Sequence, residues 1–473
     1  MLQMAPEEMR ELAHHVTDIL VGRVEGLRSG RAWEGDFKDA LAQRLDEDPP
    51  ETGRPALDVI DRAVQDVLTN TLRLDHPRSF GFVPTCPTWP GVLADFMVSG
   101  FNVNVASWIV ASGPSQLEEV VVGWFQSWFG LPEGAGGLMT SGGSAAALHA
   151  FVAAREAAGN PDRPVAYMSD QSHSAQIRAA RIVGIAPDRI RVLPTDAAGR
   201  IDPGAVSAAI IADRSEGCTP TVVCANAGTA AAGAVDPLPE LAEVCAAEGV
   251  WFHIDAAYGG FAVLAPRGAV ALEGIERADS LNIDPHKWLF QPYEAGCILV
   301  RDAGTLEHAF SIGHDVLQDA VWGTRHANPA DRGIQLSRSF RALKVWMSIQ
   351  AFGMAAFRAA IDNGLDLAER AAEYVRDSST LELVSASLSI VCFRINPGDL
   401  SEDALTDVNR EALARILWGE RAFLTSTMVN GQFVLRLCII NHNSTWDDVR
   451  ETLQAVERYA AEATGSSSTT GTD

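Results

Sequence analysis

The sequence predicts an α/β protein built on a mainly parallel sheet with helices on both faces, followed by a small α+β unit. Two observations carry this expectation. Between about Gly91 and Arg376, the short apolar runs PVAYMSD, RIRVLPTD, TVVCANAG, VWFHID, SLNID and GCILVRD alternate with alanine-rich stretches of helical type. Strands that read as unbroken apolar runs are buried on both faces, as in parallel sheets fed by helical crossovers. In addition, His173, Asp255 and Lys287 each fall at or just past the end of such a run. Ligands of open α/β sheets bind beyond the carboxyl ends of strands, so these side chains converge on one place.

In chain order, residues 1–90 read as a helical arm, with amphipathic stretches from Pro6 to Leu27 and from Pro55 to Leu74 separated by the polar linker EDPPETGRP. Two such helices have little chain of their own to cover their apolar faces and need a partner surface. Residues 91–376 form the large α/β unit. Residues 377–463 form the small C-terminal unit, in which AFLTSTMV and QFVLRLCII flank Asn430-Gly431, a two-residue hairpin signal. The tail 464–473, TGSSSTTGTD, lacks apolar residues and is expected to be disordered.

Composition excludes several classes of function. Basic side chains number 37 against 61 acidic ones, a net charge of −24 spread along the chain, which disfavours nucleic acid and anionic membranes. No basic segment precedes an apolar run at the start, and no apolar run reaches membrane-spanning length, so a cytoplasmic enzyme is expected. The seven cysteines are scattered without CxxC spacing and read as buried free thiols, with neither a disulfide framework nor a metal site.

Four segments carry chemistry. In SLNIDPHKWL, Lys287 sits where a strand ends, between His286 and Trp288, suited to form an imine with a bound carbonyl. Only the unprotonated amine attacks carbonyls, and desolvation is expected to lower the lysine pKa toward that state. In VWFHIDAAYGG, Asp255 lies 32 residues before Lys287. A carboxylate buried at a strand end needs a cation or several donors, and a protonated pyridine nitrogen is one such cation. His253 and Asp255 make only one pair of metal ligands, so no metal is expected. In GGLMTSGGSAAALHAF, the turn Ser141-Gly142-Gly143-Ser144 opens a helix whose free N–H groups suit a phosphate. In AYMSDQSHSAQIRAA, His173 follows a strand and could lie over a cofactor ring or move a proton.

In this order the segments resemble the group II pyridoxal-phosphate-dependent amino-acid decarboxylases, the family of the aromatic amino acid and glutamate decarboxylases, from about His76 to Asn441. The resemblance implies fold type I, the aspartate aminotransferase-like fold, and pyridoxal 5'-phosphate as cofactor. Lys287 would hold the cofactor and Asp255 pair with its ring nitrogen, while His173 covers the ring. Gly142, Gly143, Ser144 and His286 would hold the phosphate, and Thr229 and Ala257 line the cofactor. HPRSFGFVPTCPTWP would be the substrate-pocket segment, with Phe82 and Thr85 facing substrate. A homodimer with shared active sites and decarboxylation of an L-amino acid or amino-acid conjugate follow as implications.

Three departures matter. Ala145 stands where many relatives carry glutamate, and Arg78 and Ser79 stand where aromatic decarboxylases carry bulky aromatics, so an aromatic substrate is not implied. Family decarboxylases place a tyrosine in the loop equivalent to His314–Gln335 to protonate the carbon that carbon dioxide leaves, and none of the five tyrosines here lies in that loop. His326 or water could supply the proton instead. Alternatives are therefore oxygen-dependent deamination to an aldehyde after decarboxylation, β-elimination on the same scaffold, and a catalytically silent regulator.

Overall fold

The computed structural model describes residues 2–311, 328–398, 400–419 and 421–463. The tail 464–473 and most of the His314–Gln335 segment, His326 included, lie outside the described residues.

The N-terminal region holds three helices, α1 (Pro6–Gly26), α2 (Lys38–Leu45) and α3 (Ala56–Ala63). The expected second helix ends early. After one wide turn to Leu68, Thr69 and Asn70 fold their side chains back onto the carbonyls of Gln65 and Asp66, and Leu72 bridges to Trp33 instead. α2 was not foreseen because its sequence, KDALAQRL, has only a weak apolar stripe. Residues 76–80 leave the arm altogether. Ser79 bridges to Phe423, Phe80 N–H donates to the Phe423 carbonyl at 2.8 Å, and the fully buried Phe80 ring joins the core of the C-terminal unit.

α4 (Trp89–Phe101) is capped by Thr88, whose hydroxyl accepts from Gly91 N–H at 3.3 Å, and straddles the boundary expected near residue 90. α5 (Ser112–Trp128) leads into a seven-stranded sheet comprising β1 (Gly136–Thr140), β2 (Pro164–Ser169), β3 (Ile190–Leu193), β4 (Thr219–Asn226), β5 (Trp251–Asp255), β6 (Ser280–Ile283) and β7 (Gly296–Val300). The strand order is β1-β7-β6-β5-β4-β2-β3. All neighbours from β6 to β3 are parallel, and β7 runs antiparallel to both β6 and β1. β7 reverses because a short loop, with no crossover helix, joins it to β6. The sequence reading missed β1, whose glycines weaken its strand signal although every residue in it is buried. α6 (Gly143–Ala157), α7 (Ser174–Ile182), α8 (Pro203–Ser215), α9 (Leu238–Glu248), α10 (Pro266–Ala271) and α11 (Gly304–Phe310) follow or connect the strands.

α12 (Ala342–Asp377) bends at Gly353, whose φ of 71° takes it out of helical geometry, and runs on to the C-terminal unit. That unit is a four-stranded antiparallel sheet, β8 (Leu381–Ser387), β9 (Ile390–Ile395), β10 (Thr425–Val429) and β11 (Gln432–Cys438), ordered β10-β11-β9-β8, with α13 (Glu402–Gly419) and α14 (Trp446–Ala463). The hairpin forms as read. Asn430 and Gly431 have φ of 50° and 77°, the pair of positive values a two-residue turn needs.

One buried ion pair joins α5 to the segment just before α12. Arg338 Nη2 lies 2.6 Å from Glu118 Oε1 and donates to the Met139 carbonyl at 2.7 Å, while Nη1 donates to the Val105 carbonyl at 3.1 Å. Breaking one side of such a pair leaves a buried charge uncompensated, which costs about 3–5 kcal/mol. Arg338→Met is therefore expected to lower the denaturant midpoint of the cofactor-free protein strongly, and the double change Arg338→Met, Glu118→Gln to regain part of the loss. Equal stabilities for the single and double variants would refute this.

Candidate active site

The carboxyl ends of five strands meet at one cavity of about 1170 Å³. β1 ends at Thr140 and delivers Ser141–Ala145, β2 delivers His173, β4 delivers Thr229, β5 ends in Asp255, and β6 leads to Asp284, His286 and Lys287. The opposite wall comes from the C-terminal unit through Leu413 and Leu417 of α13, Phe423, and Arg436 of β11.

Asp255 is the best-supported carboxylate. It accepts hydrogen bonds from Gln176 Nε2 at 2.8 Å, Asn282 Nδ2 at 2.8 Å and the Ala257 N–H at 3.2 Å. Burial pushes its carboxyl up, but the Gln176 bond, the Lys287 charge and the Asn282 bond outweigh this and hold it below its ordinary value. It is an anion in a dry site, and among the described residues no cation forms a direct ion pair with it.

Lys287 points into the same cavity, its side chain 22% exposed there, with Nζ 3.0 Å from Asp284 Oδ2. A tight turn fixes its backbone: Lys287 N–H donates to the Asp284 carbonyl at 2.9 Å and Thr85 Oγ1 donates to the Lys287 carbonyl at 3.1 Å. Trp288 is fully buried and stacks on Tyr258 with ring centroids 5.6 Å apart at 7°. Such a stack contributes about 0.5–1.5 kcal/mol beyond its buried area and ties the lysine turn to the aspartate turn. The expectation that desolvation leaves Lys287 with a lowered pKa is overturned. Burial does act that way, but Asp284 and Asp255 oppose it, and the lysine lies above its ordinary 10.5.

The glycine turn approaches closely enough to cradle an anion. Gly142, at φ 148°, caps α6, and a Cβ on Gly143 would meet Asp284 Oδ2 at 3.1 Å and Ala257 Cβ at 3.2 Å. Space there exists because both residues lack side chains. His286 Nδ1 accepts from Ala295 N–H at 3.1 Å, which places the proton of the neutral ring on Nε2; burial lowers its pKa and keeps it neutral. His173 caps α7, its Nδ1 accepting from Ala175 N–H at 3.2 Å, and its ring lines the cavity.

Thr229 is buried and lines the cavity, with Oγ1 accepting from Ala234 N–H at 3.1 Å. Phe82, at φ 54°, stacks on Phe423 at 5.9 Å and forms part of the cavity mouth. Thr85 is buried and does not line the cavity; its contact is the Lys287 carbonyl. Arg78 and Ser79 are also away from it. Arg78 pairs with Asp448 and Glu451, and Ser79 is wholly buried. Their departure from the aromatic pattern therefore says nothing about the pocket wall, because the segment containing them is spent on the C-terminal unit.

The sequence reading missed Asp284, Gln176, Asn282, Tyr293 and Arg436. Asp284 and Gln176 each stand three residues from a residue that was singled out, Lys287 and His173, a spacing that could have flagged them. Arg436 lines the cavity and donates to the carbonyls of Ala231 at 3.0 Å and Phe82 at 2.5 Å. Among the described residues no cluster of three or more His, Cys, Asp or Glu could hold a metal, and no helix is long and apolar enough to cross a membrane.

The site thus offers an anion cradle at one end, an unmatched buried carboxylate at the other, and a lysine between them. That arrangement fits pyridoxal phosphate, whose phosphate, ring nitrogen and carbonyl ask for those three partners. Comparison with known proteins agrees. Residues 39–396 match the pyridoxal-dependent decarboxylase conserved domain. An aromatic-L-amino-acid decarboxylase of Bacillus atrophaeus is 39% identical, over 98% of this chain and 97% of that protein. A phenylacetaldehyde synthase of Petunia hybrida is 29% identical over 92% of this chain and 90% of that protein. A crystal structure of Oryza sativa TDC with PLP and tryptamine superposes with a TM-score of 0.94 at 28% identity, covering 98% of this chain and 99% of that one. The chain belongs to the pyridoxal-dependent decarboxylase family, on fold type I, and is a lyase that uses pyridoxal phosphate to decarboxylate an amino acid.

Proposed function

We propose that the substrate is an L-amino acid with an apolar, aromatic side chain, that the main product is its amine, and that Lys287, Asp255 and His173 carry the chemistry. The observation behind this reading is the pairing, across one cavity, of the Lys287–Asp255 set with a mouth of Phe82, Val83, Leu413, Leu417 and Phe423. Apolar walls with a few fixed polar groups select an apolar side chain. The aromatic-L-amino-acid decarboxylase and the TDC structure with tryptamine support the same class.

Gly142, Gly143, Ser144 and His286 would hold the cofactor phosphate, Asp255 its ring nitrogen and Lys287 its carbonyl carbon, with Thr229 and Ala257 lining it and His173 over the ring. Bound there, pyridoxal phosphate supplies a pyridinium that takes up the electron pair left when carbon dioxide departs. Asp255, kept ionised by Gln176 and Asn282, holds the proton on that nitrogen. Arg436 donates to backbone carbonyls, pairs with no carboxylate among the described residues, and brings a guanidinium to the cavity, suited to the substrate carboxylate. His173 shields the ring face from water.

We read the working unit as a homodimer in the cytoplasm. α1 has no buried residue, and Val21, Val24, Val59 and Leu68 of the arm and Phe96 and Phe101 of α4 are exposed, which gives a partner subunit apolar surface to cover. All seven cysteines are free and buried, in keeping with a reducing compartment. A second reading, release of an aldehyde with oxygen uptake, rests on the absence of tyrosine from His314–Gln335 and on the likeness to a phenylacetaldehyde synthase.

One assay tests both. Purified protein is given a panel of aromatic, acidic and aliphatic L-amino acids while carbon dioxide, oxygen and products are recorded. Aromatic substrates are expected to exceed the others in kcat/KM by at least about tenfold, since burying one aromatic side chain is worth more than 1.4 kcal/mol. A preference for an acidic amino acid would sink the substrate assignment, and equal oxygen and carbon dioxide stoichiometry would favour the aldehyde reading.

A further inference from the structure

Asp284 is a buried carboxylate at the centre of the cavity for which the roles above leave no task. Oδ2 lies 3.0 Å from Lys287 Nζ and 3.5 Å from His286 Nε2, and Oδ1 is buried with no hydrogen-bond partner among the described residues. The side chain is 3% exposed, and its neighbours Gly142 and Gly143 leave it room against the anion cradle. A carboxylate in this position holds a proton on whatever amine faces it.

We propose that Asp284 keeps Lys287 an ammonium once substrate has displaced it, and that this ammonium delivers the proton to the substrate carbon that carbon dioxide leaves. The inference rests on the function proposed above and deepens it. One N–H bond of Lys287 breaks as a C–H bond forms with the electron pair left behind, and Lys287 becomes a neutral amine. That amine is then the nucleophile that releases product, so a single proton transfer completes the reduction of charge at Nζ and readies the next step. Asp284 remains a carboxylate throughout and acts as a positioning residue.

The charge balance around Lys287 supports this. Asp284 and Asp255 favour the ammonium against its burial and Tyr293 adds to them; His286 and Cys438 also interact with Lys287, and Arg436 and His173 line the same cavity. Of the described tyrosines, Tyr258 and Tyr293 line the cavity, and Tyr293 is the rival donor. Tyr258 is fully committed, its hydroxyl 2.7 Å from Ser389 Oγ and accepting from Ser389 N–H at 3.1 Å, and Tyr293 reaches the cavity beside His286 at 4.6 Å between ring centroids.

The test reads Lys287 without the cofactor. Cofactor-free protein is pulsed with trace acetic anhydride across alkaline pH, and acetylation of the Lys287 peptide is quantified by mass spectrometry. In the wild type the inflection is expected above 10.5, the ordinary value for lysine. Asp284→Asn, checked for an unchanged unfolding transition, is expected to move it down by about 1–3 units, the effect of losing one adjacent opposite charge, and Asp284→Glu to keep it near wild type. A wild-type inflection below the ordinary value overturns the proposal whether or not any variant folds. In the loaded enzyme, Asp284→Asn should cut the amine share of product severalfold and raise oxygen uptake. An unchanged share in Asp284→Asn, or its collapse in Tyr293→Phe, overturns the donor role. Absence of carbon dioxide release from any amino acid would instead count against the proposed function, and the acetylation profile would still report on the pair.

Discussion

Lys287→Ala is expected to reduce steady-state turnover by at least about a thousandfold while leaving most of the cofactor affinity in place. The lysine is the amine held against the reacting carbonyl, and positioning of this kind is equivalent to effective concentrations of about 10⁵–10⁸ M, far beyond what a free amine could replace. Affinity should survive because the other contacts are elsewhere: the Gly142–Ser144 turn at the helix start, and Asp255 with its two amide donors. Thr85 and the Tyr258–Trp288 stack fix the turn through backbone and neighbouring ring, so removing the lysine side chain should not unfold it. The measurements are carbon dioxide release, cofactor retention by absorbance after dialysis, and borohydride reduction of the wild type followed by peptide mapping. The pyridoxyl label is expected on Lys287. A label on another lysine, or turnover within tenfold of wild type in Lys287→Ala, would end the assignment.

How much of this was legible in the sequence depended on whether local chain or distant chain delivers a residue. Asp255 and His173 were readable because each directly follows an apolar run, and strand ends in such a sheet converge whatever the rest of the fold does. Lys287 was readable as a position, but the direction of its pKa was not, because the reading counted burial and left out the carboxylate three residues earlier. Gln176 and Asn282 matter only through the strand register that sets Asp255 beside Asn282 and the helix that brings Gln176 over it. No periodicity announces that. Arg436, Phe423 and Leu417 come from the C-terminal unit, and their place in the cavity follows from how two sheets pack. The pocket segment failed for the same reason: Arg78 to Phe80 look like pocket residues beside Phe82, yet hydrogen bonds to Phe423 and Cys438 turn them into part of the small sheet. Strand direction was also missed for β7, since an apolar run does not reveal whether a crossover precedes it.

Asp255→Asn is expected to damage chemistry much more than folding, and the hydrogen-bond inventory around it gives the reason. In the native site three donors face the carboxylate, and the carbonyl oxygens of the two amides, Gln176 Oε1 and Asn282 Oδ1, are buried without partners among the described residues. An asparagine at this position introduces an NH₂ that would clash with a donor, but rotation of the Gln176 or Asn282 amide by half a turn presents one of those free oxygens to it. The rotation exchanges one unpartnered buried atom for another, the amide oxygen for its NH₂, so the number of unsatisfied groups does not rise and stability should change by about 1 kcal/mol or less. What cannot be recovered by rotation is the charge. The carboxyl lies below its ordinary value because Gln176, Lys287 and Asn282 stabilise the anion against burial, so it is ionised throughout the neutral range and its loss is felt at every working pH. Losing one charge-assisted contact in a dry site costs about 1.5–3 kcal/mol, roughly one to two decades in turnover, before any electronic effect on the ring is added. Asp255→Ala should be worse on both counts, since it strands the Gln176 and Asn282 donors as well. The decisive comparison is kcat against denaturant midpoint for the two variants at matched cofactor occupancy. Turnover near wild type in a folded, loaded Asp255→Asn protein would refute the pairing with the ring nitrogen, and a stability loss in Asp255→Asn as large as in Asp255→Ala would refute the amide rotation.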